Sequence, residues 1–241
     1  MATEYHVGTS GWHYDHWKET FYPTELPRTA WLAHYALSFS TVEVNNSFYR
    51  LPSERAFMNW KESSPTGFLF AVKVNRFITH IKRLKEGAGA VANFMSRARL
   101  LGEKLGPLLY QLPPQMKRDD ARLEDFLALL PADMENVFEF RNHTWLEDGV
   151  YALLRRYRAG FCIYDMPGFT TPVETTADFA YVRFHGADEL YGGCYPEDRL
   201  AQWAQWIAGL KVPRVYVYFN NDIGGFAVKN ALTLRRYLES G

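Results

Sequence analysis

Four short segments of this chain alternate apolar and polar residues and carry their charges at matched positions. They are Thr41-Val42-Glu43-Val44-Asn45, Phe70-Ala71-Val72-Lys73-Val74, Val137-Phe138-Glu139-Phe140-Arg141 and Tyr181-Val182-Arg183-Phe184-His185. In a β-strand, residues two apart share a face. Glu43 with Asn45, Lys73 with Ala71, Glu139 with Arg141, and Tyr181 with Arg183 and His185 therefore oppose the valines and phenylalanines. Two carboxylates on such a face are the set that general acid/base or nucleophilic catalysis uses, as in glycoside hydrolysis. Glu43, Glu139 and His185 are the catalytic candidates. The plainer alternative is an internal salt-bridge network, in which each carboxylate pairs with Lys73 or Arg183 and no chemistry follows.

The cations Lys73, Arg141 and Arg183 outnumber the two carboxylates, and His185 can add to them. An anionic group, phosphate or carboxylate, is expected to complete the balance. Asn220-Asn221-Asp222-Ile223-Gly224-Gly225 lies between the last apolar segment and a helical one. Backbone amides at such a turn can cradle a phosphate, whereas Asp222 would repel an anion or cap the helix. Trp12, Phe48, Tyr49, Trp145, Tyr191 and Tyr195 fall in or near loops. They either pack there or line a groove for sugars or bases. His13, His16, His80 and His143 lack zinc-protease spacing and read as surface residues, so no metal site is assigned, and no cofactor is identified. Cys162 has no motif partner and reads as a buried thiol.

Alternation of this kind needs strands, and strands need covering elements. Eight apolar segments qualify: His6–Gly8, Thr41–Asn45, Phe68–Val74, Leu108–Gln111, Val137–Phe140, Phe161–Tyr164, Tyr181–His185 and Val215–Phe219. Helical patterns fill most gaps: Thr29–Phe39, Glu54–Lys61 behind a Ser53 cap, Ala90–Leu105, Leu123–Leu130, Val150–Tyr157, Leu200–Leu210 and Ala227–Leu238. Asp165 to Tyr181 reads as loop, so the crossover helix between the sixth and seventh strands is expected to be missing or reduced. This order predicts an α/β fold, a (β/α)8 TIM-like barrel formed as one domain over residues 1–241. An open doubly wound sheet is the rival, but no glycine fingerprint follows the first strand. Barrels of this class carry their sites at the C-terminal mouth, where the parity places the charges.

Hydrophobic residues make up 47% of the 241, and charged residues 22%, which excludes wholesale disorder. Basic and acidic residues number 27 each, so the bulk chain is no basic nucleic-acid binder. Two cysteines exclude a disulfide-rich scaffold and fit a reduced compartment. Met1 to His6 carries Glu4 and no apolar run, and no stretch reaches about 18 apolar residues. A cytoplasmic protein without a membrane partner is expected.

Longer motifs bring a resemblance. Gly8-Thr9-Ser10-Gly11-Trp12, Trp17 to Phe21-Tyr22-Pro23, Val42-Glu43-Val44-Asn45-Asn46-Ser47-Phe48-Tyr49, Phe70-Ala71-Val72-Lys73 with Ile78-Thr79-His80, and Gln111-Leu112-Pro113-Pro114 are all in place. So are Glu139-Phe140-Arg141 with Trp145, Tyr181-Val182-Arg183-Phe184-His185-Gly186, and Tyr218-Phe219-Asn220-Asn221-Asp222 with Ala227, Asn230 and Ala231. In this order they resemble domain-of-unknown-function family 72, the YecE-like proteins; Ser47 stands where the family pattern has threonine. The resemblance implies a TIM-like barrel and no established reaction. The substrate-binding set is then Trp12, Asn45, Lys73, His80, Gln111, Arg141, Arg183, Asn220, Asn221 and Asp222. The expected function is an enzyme acting by carboxylate acid/base chemistry on an anionic, phosphorylated-sugar or nucleotide-like substrate. The alternatives are a metal-dependent phosphodiester nuclease or nucleic-acid-binding barrel, and a ligand-binding barrel without turnover. Nucleic acid is the less favoured partner because nucleases of that fold need a cluster of His, Asp and Glu ligands.

Overall fold

Branched and aromatic side chains favour extended backbone, and the segments rich in them form the strands. The computed structural model describes residues 3–85 and 87–240; Met1, Ala2, Glu86 and Gly241, which the reading of 1–241 as one domain includes, lie outside the described residues. The elements run β1 (Glu4–Thr9), α1 (Trp31–Tyr35), β2 (Thr41–Val44), α2 (Asn46–Tyr49), α3 (Glu54–Ser63), β3 (Leu69–Lys73), α4 (Ala88–Ala98), β4 (Leu105–Leu112), α5 (Asp120–Leu127), β5 (Asn136–Phe140), α6 (Asp148–Arg156), β6 (Gly160–Met166), β7 (Phe169–Thr170), β8 (Phe179–Phe184), α7 (Glu197–Ala208), β9 (Arg214–Phe219) and α8 (Phe226–Glu239). The short β7 folds back antiparallel on β6. The other eight strands are parallel, in the order β1-β9-β8-β6-β5-β4-β3-β2. A parallel bridge between Ser10 and Glu43 brings β1 to β2 and all but closes the ring. The architecture is the expected (β/α)8 TIM-like barrel. Among the described residues, no helix is long and apolar enough to cross a membrane.

Local chemistry sets the helix limits. Ser53 accepts from the Ala56 amide at 3.3 Å and starts α3. Asp119 accepts from the Arg122 amide at 3.1 Å, so α5 starts at Asp120, ahead of the periodic apolar residues. The helix expected from Ala90 through Leu105 breaks instead. It continues as a tight turn over Arg99–Lys104, where Gly102 has φ 60°. Between β6 and β8 there is no helix. The segment after β7 is pinned by Thr171, whose amide donates to the Tyr164 carbonyl at 3.0 Å, and by Thr176, whose hydroxyl donates to the Ala159 carbonyl at 2.6 Å.

Parity divides the core as anticipated. Val42, Val72, Phe138, Val182, Val217 and Phe219 pack outward among the helices. Inside the ring, Ala71, Leu109, Val137, Cys162, Phe179, Tyr181, Tyr216 and Tyr218 form a separate plug. Above it, the inward residues become polar.

The β1–β2 seam replaces strand pairing with side-chain hydrogen bonds. The Tyr35 hydroxyl accepts from the Thr9 amide at 3.0 Å and donates to the Thr41 carbonyl at 3.1 Å. The Thr41 hydroxyl lies 2.7 Å from the Tyr218 hydroxyl across the interior. The strands approach so closely that a Cβ at Gly8 would lie 2.3 Å from the Thr41 carbonyl oxygen. Gly8→Ala should therefore lower the unfolding free energy by about 2 kcal/mol or more, as overpacking of fixed backbone does. Urea denaturation reads this directly; an unchanged midpoint would mean that the seam is not under contact pressure.

Candidate functional site

Arg183 enters the barrel from β8 with its side chain fully buried. Its two terminal nitrogens reach opposite walls. Nη2 donates to Glu43 Oε1 on β2 at 2.7 Å, and Nη1 donates to Glu139 Oε2 on β5 at 2.5 Å. Every carboxylate oxygen of the pair is taken. Glu43 Oε1 also accepts from Ser10 Oγ at 2.7 Å, and Oε2 accepts from the Tyr181 hydroxyl at 2.6 Å. Glu139 Oε1 accepts from Gln111 Nε2 at 2.8 Å and from Arg141 Nε. Burial alone would raise both carboxyl pKa values. Arg183, with the Tyr181 and Ser10 hydroxyls, outweighs burial at Glu43 and holds its pKa below the usual range. Arg141 and Arg183 hold Glu139 well below that range.

The second row stands on this pair. His185 is fully buried, with Nε2 2.7 Å from Arg141 Nη2 and Nδ1 3.1 Å from the Asn220 side-chain amide. Burial and the Arg183 charge lower its pKa to about 3, so the imidazole is neutral at physiological pH. Arg141 stacks over the Tyr164 ring at 4.8 Å. Among the described residues, its Nη1 donates only to the Met166 sulfur, 3.8 Å away. Lys73 extends over the Phe48 ring, Nζ 4.3 Å from the centroid, and forms no salt bridge among the described residues. Asn45 leaves its amide oxygen buried without a hydrogen-bond partner. His80, Gln111, Arg141, His143 and Tyr164, with Met166, Phe169 and Tyr191, line a cavity of about 490 Å³ that opens at this mouth.

Most of the residues singled out in the sequence thus converge: Glu43, Asn45, Lys73, His80, Gln111, Glu139, Arg141, Arg183, His185 and Asn220. Three do not. Trp12 turns into the outer layer against Trp60 and Phe70, because its backbone has already left the strand end. Asn221 is spent within the protein, donating to the Gly193 carbonyl and to Asn230 Oδ1, both at 2.8 Å. Asp222 neither caps α8 nor faces the mouth. Its Oδ1 accepts from Trp17 Nε1 at 2.7 Å, and Oδ2 lies 2.8 Å from His16. The turn before α8 runs beside His16 and Trp17: a Cβ at Gly225 would lie 3.9 Å from each. Of the loop aromatics, Trp145 and Tyr195 are also core, while Tyr49 and Tyr191 are exposed. The acid/base pair anticipated at Glu43 and Glu139 has its gap filled by the Arg183 guanidinium. Cys162 is buried in the plug, and burial pushes its thiol pKa well up.

Ser10, Tyr164 and Tyr181 complete the site. Tyr164 shares parity with Cys162, and Tyr181 with Arg183, so alternation alone was enough to place them. Ser10 follows the first strand and had no such signal. Among the described residues, no three His, Cys, Asp or Glu side chains are placed to hold a metal ion.

A parallel eight-stranded barrel whose charged residues converge at the carboxyl ends of its strands is an α/β barrel of the type that keeps its site at that mouth. The chain belongs to the family described as Protein of unknown function DUF72, whose pattern matches residues 6–241. A crystal structure of a DUF72 family protein from Thermotoga maritima MSB8 is similar to it. That protein is 32% identical, with a TM-score of 0.89 over 98% of this chain and 99% of the other. UPF0759 protein YunF of Bacillus subtilis strain 168 is 24% identical, over 97% of this chain and 94% of YunF. UPF0759 protein YecE of Escherichia coli K12 is 29% identical, over 49% of this chain and 44% of YecE.

Two outcomes test the buried cluster. Arg183→Met strands two buried carboxylates and should reduce stability at neutral pH by about 3–5 kcal/mol. In the native protein, the folded pKa values of Glu43 and Glu139 lie below the unfolded ones. Their contribution is therefore full above the unfolded carboxylate value of about 4.3 and is lost as pH falls through the folded values. Urea midpoints should drop on acidification in the native protein. In Arg183→Met the carboxyl pKa values rise, so acidification should narrow the gap between the two proteins. A gap independent of pH would contradict this account.

Proposed function

We propose that this chain is an enzyme that binds a small anionic substrate, a phosphorylated sugar or nucleotide-like compound, at the C-terminal mouth. One observation carries the reading. The carboxylates beneath the mouth have all their oxygens occupied, while Arg141 Nη1 on the cavity wall and Lys73 Nζ, over the Phe48 ring that packs against His80 of that wall, have no carboxylate among the described residues. Two cationic donors above a sealed anionic base attract an anion from solution. In this reading Glu43 and Glu139 are positioning residues. They hold Arg183 and Arg141, while burial, with the Arg183 charge, keeps His185 neutral beneath the mouth, where it orients Arg141 and Asn220. His80, whose pKa burial and the Lys73 charge lower to about 4, is a second neutral imidazole on the cavity wall.

Lys73 makes the binding pH-dependent. Burial and Arg183 lower its pKa to about 8, against partial restoration by Glu139 and Glu43. The ammonium is therefore charged below that value and lost above it, so anion affinity should fall as pH rises through about 8. A charge-assisted hydrogen bond contributes roughly 1.5–3 kcal/mol, so Lys73→Met should weaken binding on the order of tenfold to a hundredfold. Calorimetric titration with inorganic phosphate and glucose 6-phosphate, with glucose as the uncharged control, reads both effects. Failure of the native protein to bind either anion would overturn the proposal.

A further inference from the structure

We propose that Lys73 is a nucleophilic amine that forms an imine with a carbonyl carbon of the anion bound at the mouth. The inference rests on the anion-binding reading above and specifies what the substrate carries: an oxo acid, or an aldehyde or ketone phosphate.

The geometry removes the ordinary role of an inward lysine. Glu43 is filled by Ser10, Arg183 and Tyr181, and Glu139 by Gln111, Arg141 and Arg183. No carboxylate is left for the amine, and its Nζ rests instead on the face of Phe48. The backbone beneath it is fixed. The Lys73 carbonyl accepts from the Ser47 hydroxyl at 2.6 Å, and the following Val74 amide donates to the Leu109 carbonyl at 2.8 Å. A half-buried amine on a rigid strand end, without an anionic partner, is placed to react rather than to pair. Beside burial, the charged groups that act on it are Arg183 from β8, Arg141 and Glu139 around β5 and Glu43 from β2, while His80 on the turn after β3 is neutral. Burial first, then Arg183, bring its pKa down to about 8. At pH 7.5 roughly a quarter of such an amine is uncharged, far above the fraction for an ordinary lysine.

The step balances without an oxidant or reductant. The Nζ lone pair attacks the carbonyl carbon, and the carbonyl electron pair moves to oxygen, which takes a proton. The resulting carbinolamine loses water, its hydroxyl leaving with a proton that started on nitrogen, and a carbon–nitrogen double bond remains. Neutral His80 on the cavity wall is the nearby group able to relay that proton. Arg141 Nη1, open towards the same cavity, receives the carboxylate or phosphate of the substrate.

The test traps the imine. The full chain is incubated with glyoxylate and sodium cyanoborohydride, and peptide masses locate the adducts. Lys73 should be modified on the order of tenfold faster than the exposed Lys117 and Lys229. At saturating glyoxylate its rate should rise with pH through about 8, and below saturation inorganic phosphate should slow it. Lys73→Arg should lose this adduct. The pH–rate curve of the native protein stands whether or not that variant folds. Labelling of Lys73 no faster than of the exposed lysines, with phosphate still bound, would overturn the imine and leave the anion site standing. Selective labelling by uncharged propanal as well as glyoxylate, without protection by phosphate, would support the amine chemistry and overturn the anion reading.

Discussion

A guanidinium with no exposed surface is tolerable only when its charge is matched where it lies. Arg183 meets that condition by reaching across the barrel to two carboxylates on separate strands, β2 and β5. Much of the upper interior follows from this contact. Ser10 and Tyr181 are needed to fill the remaining lone pairs of Glu43, and Gln111 and Arg141 to fill those of Glu139. Arg141 in turn fixes one nitrogen of His185. The polar network ties together β2, β4, β5, β8 and the residue that follows β1, above a tyrosine-rich plug.

Such a cluster is a weak source of stability, because desolvation offsets most of the attraction. Its stronger effect is on what remains unpaired. With the carboxylates saturated, Lys73 and one nitrogen of Arg141 are left over, and burial, helped by the Arg183 charge, keeps His185 neutral. The salt-bridge network and the functional site, which stood as alternatives in the sequence, become two parts of one arrangement in the proposed reading. The network determines which of its neighbours stay unpaired.

Strand alternation made much of this legible. Period two placed Glu43, Lys73, Glu139, Arg183 and His185 on one face, and barrel closure turns every such face inward. The missing crossover helix was also visible, because Met166-Pro167-Gly168-Phe169 has no helical period. What sequence could not give was direction beyond the strand ends. Trp12, Asn221 and Asp222 follow strands immediately, but each lies where the chain has turned, and parity no longer applies. Nor could composition show that Arg183 would lie between the two glutamates and close the gap that a carboxylate pair needs. Helix starts shifted by a few residues for a similar reason: Asp119 fixes the first turn of α5, whereas apolar spacing reports only its buried face.

The seam between β1 and β2 bears on how the protein comes to be made. β1 has its ladder with β9, at the opposite end of the sequence, and only a single bridge with β2. Until Glu4 to Thr9 meet Arg214 to Phe219, an edge of β1 is an open template for another chain. That ladder joins the most distant strands of the barrel in sequence, so it carries the largest loop-closure cost of any strand pairing in the ring.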